Sequence, residues 1–233
     1  MEKLEETLAR LQTAYETCDY NDGVDIYTLN TELREQLNQY AAAEQLSVNQ
    51  DSAGNIGITK PGQDSTLAAI ALSFPLDGCG KSSFVSAFRV FNLLRADNLQ
   101  CGVTLLGWSS VGERLIGREI WMVAGAKKGS IPPILSQLER FSDLADPSTV
   151  TFSAIVEVWG DAAVVTEVVG SPILVETAKK HMGARGQLKA TILERGAVRA
   201  PELRIMGMEA ETVARGLVKD YSEYVTALFE NFD

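Results

Sequence analysis

The chain has 233 residues, 45% of them hydrophobic and 22% charged, with 21 basic against 31 acidic side chains and a net charge of −10. That length suits one domain, or two small ones at most, with a sizeable core, and is read as a single domain over residues 1–233; the acidic balance, without any basic run, argues against nucleic acid or an anionic membrane surface as partner. The one histidine, His181, excludes a dinuclear zinc centre held by imidazoles and allows a Ser-His-Asp triad only if it is built around that residue.

Taken in chain order, Leu4, Leu8, Leu11, Tyr15 and Cys18 recur at steps of four and three, which predicts an amphipathic helix. The polar stretch CDYNDGVD is a loop, and a second helix runs from about Leu29 to Leu46 with Leu29, Leu33, Leu37 and Tyr40 inward. SVNQDSAGNIGIT predicts a strand, an SAGN turn and another strand. TLAAIALSF is an unbroken apolar run, as in a strand buried on both faces, and FVSAFRVFNLLRA is apolar nearly all round, as in a buried helix. GVTLLGW is read as the next buried strand and EIWMVAG as another, before KKGSIPP breaks the chain ahead of a helix near Ile134 to Leu144. VTFSAIVEVWG and AAVVTEVVG are β-rich and joined by a tight Gly-Asp turn. SPILVETAKKHM predicts a helix with Ser171 as N-cap and Pro172 in its first turn. LKATILE and ELRIMG are short strands, and a last helix from about Ala210 to Phe232 aligns Val213, Leu217, Tyr221, Tyr224 and Leu228. This alternation predicts an α/β fold, a three-layer sandwich around a mostly parallel sheet with its ligand crevice at the carboxyl ends of the strands.

Three cysteines, Cys18, Cys79 and Cys101, lack CxxC spacing and suit a reducing compartment. No stretch approaches the ~18 apolar residues of a membrane span. The acidic, amphipathic MEKLEETLAR is unlike a targeting peptide, so a soluble, cytoplasmic protein is expected.

Through DSAGNIGITKPGQDSTLAAIALSFPLDG the sequence resembles the co-catalytic zinc exopeptidase and aminoacylase family, in particular its N-carbamoyl amino acid hydrolase and allantoate amidohydrolase branch. The resemblance covers roughly Leu4 to Gly125, and the last helix, entered through IMGMEAE, is similar to a worn form of the family's final His-bearing loop and helix. It implies a zinc site at the strand ends, and the departures fall on that site. Pro75 stands where the first zinc-binding histidine is expected, although Asp77 is kept. GCGKSSF holds no acid for the bridging aspartate, Ser110 and Val111 replace the Glu-Glu pair with Glu113 displaced beyond the glycine, and the terminal histidine falls near Met206 to Met208. Zinc needs several N, S or carboxylate ligands, which Asp77 alone cannot supply, so no metal and no cofactor are expected. Residues 126–150 hold only a linker and one helix where the family inserts its lid domain, which implies a lidless chain.

PLDGCGKS also suits a phosphate-binding loop through Gly80, Lys81 and Ser82, but Pro75 occupies the first glycine position and no apolar strand ends in the aspartate needed for Mg²⁺. An anion resting on the helix N-terminus near Ser82 and Ser83 is a further reading. Asp77 can equally cap its turn, Glu113 can pair with Arg114, and Cys79 has no histidine base beside it. Phe74, Trp108, Met206 and Met208 suit either core packing or an apolar pocket wall, with Ser109 and Ser110 beside Trp108. His181, in KKHMGARG, reads as a solvated helix residue.

Two function classes compete. In one, the cleft performs metal-independent cyclisation, isomerisation or epoxide opening on a small, largely apolar molecule, with Asp77 or Glu113 as general acid or base. In the other, the chain is a pseudoenzyme that binds a ligand, a protein partner or a second copy of itself, the face left by the missing lid serving as the contact surface.

Overall fold

The computed structural model describes residues 2–16, 31–51, 54–76, 81–109, 115–123, 152–160, 166–182, 188–192 and 200–230. Six helices are described: α1 (Glu2–Glu16), α2 (Thr31–Ala43), α3 (Lys81–Arg95), α4 (Ile116–Val123), α5 (Pro172–Lys179) and α6 (Ala210–Glu230). Eight strands accompany them: β1 (Ser47–Gln50), β2 (Ile56–Lys60), β3 (Ala69–Pro75), β4 (Val103–Trp108), β5 (Phe152–Trp159), β6 (Thr166–Gly170), β7 (Leu188–Ile192) and β8 (Glu202–Met206). The strands form one mixed sheet in the order β1-β2-β4-β3-β5-β8-β6-β7, with helices on both sides, so the chain has the α/β class that its alternating elements predict. The β3–β5, β5–β8 and β6–β7 pairings are parallel, and β6–β8 is antiparallel.

The chain divides into two compact units: residues 1–58, 75–81 and 106–150, and residues 59–74, 82–105 and 151–233. In the first, α1 contributes Leu8 and Leu11 to the core and α2 contributes Leu33, Leu37 and Tyr40, all buried. In the second, α3 buries Phe84, Phe88 and Phe91, and Phe84 packs on Phe74 with ring centroids 5.0 Å apart. Each such side chain contributes about 1.5–3 kcal/mol relative to exposure. β3 and β4 are buried along almost their whole length, which is why their sequences show no alternation.

Five expectations from the sequence need correction. EIWMVAG is not a strand: α4 runs through it to Val123. Gly117 and Trp121 are buried one helical turn apart, with half-buried Arg118 and Glu119 between them, and a short apolar run does not separate the two periods. β5 and β6, expected to be joined by a tight Gly-Asp turn, are not neighbours in the sheet: β8 lies between them and β5 has a parallel partner on each edge, while residues 161–165 of the connection lie outside the described residues. His181 lies outside the helix: α5 ends at Lys179 and His181 sits in the turn that follows. Ser171 stands at the N-cap position of α5 with extended backbone, but its side chain makes no capping hydrogen bond. On α6 the buried face carries Val213, Leu217, Tyr221 and Val225, while Tyr224 turns outward to 41% exposure. The four-residue step from Tyr221 keeps to the stripe better than the three-residue step. The loop CDYNDGVD and the helix expected near residues 134–144 lie outside the described residues.

Candidate functional site

In the first unit the polar groups at the strand ends converge on Asn55, the residue before β2. Asp51 and Asn55 close a local turn. The Asp51 carboxylate accepts the Asn55 backbone N–H at 2.9 Å and its Nδ2 at 2.8 Å, while Asp51 N–H donates to the Asn55 carbonyl at 3.2 Å. Within this turn Gly54 takes a φ of 79° and donates to the Asp51 carbonyl at 3.0 Å. The Asn55 amide is thereby oriented toward two other segments. Its Oδ1 accepts the N–H of Ser109, just past β4, at 3.0 Å, and its Nδ2 donates to the Gly117 carbonyl in α4 at 3.1 Å. Gly117 N–H returns to the Ser109 carbonyl at 2.8 Å. No side chain fits at residue 117, since a Cβ there would lie 1.9 Å from Asn55 Oδ1.

A buried guanidinium completes the group. Arg34, on α2 and 9% exposed, donates from Nη2 to Ser109 Oγ at 3.4 Å. Beside it, Leu76 N–H donates to the Trp108 carbonyl at 2.9 Å, so the end of β3 and the end of β4 lie side by side. Trp108 is 2% exposed and packs against Trp121 of α4 with ring centroids 5.8 Å apart.

The residues singled out in the sequence divide between the units. Pro75, Lys81, Trp108 and Ser109 fall in the first: Pro75 ends β3, Lys81 begins α3 half-buried, and Trp108 and Ser109 are buried at the end of β4. Phe74, Ser82, Ser83, Met206 and Met208 fall in the second. There Phe74 is buried against Phe84, Ser82 and Ser83 open α3, Met206 is in register with Trp159 of β5, and Met208 is 76% exposed. Asp77, Cys79, Gly80, Ser110 and Glu113 lie outside the described residues. Arg34, Asn55 and Trp121 are the participants that sequence reading missed. Asn55 carried a signal in its D-x-x-G-N turn, whereas Arg34 follows Leu33 on an ordinary amphipathic helix and carried none.

Of the positions where the sequence resemblance implies zinc ligands, Pro75 and Met206 to Met208 are described, whereas Asp77 and Ser110 to Glu113 are not. Proline at residue 75 offers no ligand atom, and both Asp51 carboxylate oxygens are taken up by Asn55. The Nε2 of His181 lies 3.0 Å from Asp220 Oδ2 on α6, in the second unit. Among the described residues no three of His, Cys, Asp and Glu converge on one point as metal ligands. No described helix is long and apolar enough to cross a membrane.

No family model and no curated protein matches the sequence. Solved structures similar to this chain are amidases and peptidases at low sequence identity. A hydantoinase/carbamoylase family amidase from Burkholderia ambifaria is 15% identical at a TM-score of 0.48, the match covering 97% of this chain and 74% of that one. An amidase of the same family from Burkholderia multivorans is 14% identical at a TM-score of 0.44, over 67% of this chain and 44% of that one, so this chain spans less than half of its length. A candidate zinc-dependent exopeptidase from Bacteroides vulgatus is 8% identical at a TM-score of 0.49, over 93% of this chain and 94% of that one.

Proposed function

We infer that this chain is an amidohydrolase-like protein that works without a metal, performing acid/base chemistry on a small, largely apolar molecule at the strand ends of its first unit. The observation that carries this reading is the buried Arg34 guanidinium against Ser109 at the end of β4. A guanidinium held there opposes a divalent ion placed beside it. The neighbouring Pro75 and the engaged Asp51 carboxylate offer no compensating ligand. Asp77 follows β3 by two residues, and Glu113 falls between β4 and α4 in the chain. These two carboxyl groups are assigned the general acid and base roles. A carboxyl group held among apolar side chains keeps its proton to higher pH and can donate it near neutrality. The reaction class is cyclisation, isomerisation or epoxide opening, none of which needs a metal-bound water.

A second reading, binding without turnover, is favoured by one observation. The Asp51 carboxylate of this strand-end group is engaged by Asn55 through both of its oxygens. In that case the occupant is a small ligand, a protein partner or a second copy of the chain.

Protein purified without chelator should contain far less than one zinc per chain by elemental analysis; a stoichiometric zinc overturns the metal-free reading. Incubation with a lysate of the native host, followed by mass spectrometry, should show a small molecule consumed. Asp77→Asn should abolish that consumption with an unchanged melting temperature. Unaltered turnover removes Asp77 from the mechanism, and a molecule retained but never converted decides for binding alone.

A further inference from the structure

Ser82 and Ser83 stand in the first turn of α3, a helix of 15 residues with no acidic side chain in that turn. Helical side chains lean toward the N-terminus, so both hydroxyls lie at the end where the first-turn N–H groups have no intrahelical acceptor. Ser83 is fully buried, and the Oγ atoms of Ser82 and Ser83 are both buried without a hydrogen-bond partner among the described residues. Ser86, one turn further along the helix, shows the contrast: its hydroxyl accepts the Gly160 N–H at 3.0 Å. The nearby Glu211 carboxylate is met by Arg89 at 3.7 Å. The aromatic pair Phe74 and Phe84 adjoins the same turn and lowers the local dielectric, which strengthens any hydrogen bond made there.

We propose that the N-terminal turn of α3 binds a single oxyanion group, a phosphate or a carboxylate, with the Ser82 and Ser83 hydroxyls and backbone N–H groups as donors. The sign follows from the helix: its N-terminus carries partial positive charge and presents donors, which suits an anion and opposes a cation. An apolar occupant would leave both hydroxyls unpaired. The inference goes beyond the acid/base reading above and stands on Ser82 and Ser83, both of the second unit.

The test is thermal denaturation of the full chain in sodium phosphate and in sodium acetate, with sodium chloride at matched ionic strength as control. A saturable rise in Tm with phosphate or acetate, absent with chloride, is expected, and the anion that responds tells whether a phosphate-bearing or a carboxylate-bearing ligand is taken. Ser83→Ala should weaken the apparent affinity about tenfold or more without lowering the anion-free Tm. Ser83→Asp, which brings a carboxylate to the turn itself, should raise the anion-free Tm and abolish the response. No saturable response, a response shared by chloride, or one that Ser83→Ala retains in full overturns the proposal.

Discussion

Asn55 holds Ser109 by its backbone: the side-chain Oδ1 of one accepts the N–H of the other at 3.0 Å across 54 residues of chain. The same amide donates to Asp51 and to the Gly117 carbonyl, so one 3%-exposed side chain ties the start of β2, the end of β4 and α4 together. Asn55→Ala strands the Ser109 N–H and removes the donor to the Gly117 carbonyl, and is expected to cost about 2–4 kcal/mol by urea denaturation. Asn55→Asp should cost at least as much at neutral pH, because it keeps the shape but loses both donations and faces the Asp51 carboxylate. A loss under ~1 kcal/mol for either variant would mean that the strand end is held by other contacts.

How much of this could be read beforehand depends on the distance over which each contact acts. β3 was legible because burial on both faces leaves a continuous apolar run, α3 because a wide buried face does nearly the same, and the Asp51–Asn55 turn because its partners are four residues apart. The insertion of β8 between β5 and β6 was not, since a Gly-Asp turn signals a local hairpin and nothing local signals a parallel partner more than forty residues away. Arg34 was missed for the same reason. Its partner Ser109 lies 75 residues along the chain, and a lone arginine beside a buried leucine ordinarily belongs to the solvated flank of a helix. The α4 segment failed differently: too few residues separate a period of two from one of 3.6.

Asp97, just past α3, is 19% exposed and receives Arg215 Nη2 at 3.3 Å and Lys219 Nζ at 3.1 Å, both from α6. Burial alone pushes its carboxyl up, but the hydrogen bonds and charges of Lys219 and Arg215 outweigh this and hold it below the usual carboxylate range. A folded-state value below the unfolded one gives stability that is present above the unfolded pKa of about 3.9 and is lost as pH falls through the folded value. Asp97→Asn should therefore be less stable than wild type by a constant amount above about pH 5, with the gap closing below about pH 4. A double-mutant cycle with Arg215→Ala should give a coupling of about 0.5–1 kcal/mol, since both partners are partly solvated. A gap that persists unchanged at acid pH would assign the effect to packing instead.

Cys101 is 1% exposed, its N–H donates to Ser222 Oγ at 2.9 Å, and its thiol lies 3.9 Å from the Ser222 carbonyl. Burial pushes this thiol up, with the Ser222 contact opposing and the Asp64 charge adding to the shift. Labelling by a thiol reagent near pH 8 should therefore reach Cys101 only through unfolding, at a rate that follows denaturant. The linkage sign is the reverse of that for Asp97. Above the ordinary thiol pKa of about 8.5 the unfolded chain releases a proton that the folded chain keeps, so stability falls as pH rises. Cys101→Ser keeps the backbone contacts and should flatten that alkaline slope; labelling of the native protein as fast as that of a free thiol would contradict the burial argument.

Gly216 lies in the interior of α6, where alanine would ordinarily add about 0.8–1.0 kcal/mol of helix propensity. Here the His181 ring occupies the space: a Cβ on residue 216 would come within 2.2 Å of Nδ1 and 2.4 Å of Cγ. Its Nε2 lies 3.0 Å from Asp220 Oδ2, one helical turn beyond Gly216, but outside hydrogen-bond geometry. Gly216→Ala should consequently lower stability by about 1–2 kcal/mol as the ring is forced out. His181→Ala alone should cost less than about 1 kcal/mol, since the imidazole is 27% exposed and its contact with Asp220 is partly solvated. In the double variant the steric conflict is gone and the helix propensity is released, so it should be more stable than His181→Ala by about 0.5–1 kcal/mol. Urea denaturation of the four proteins measures the cycle, and additivity within ~0.3 kcal/mol would show that the ring and the helix do not compete for that space.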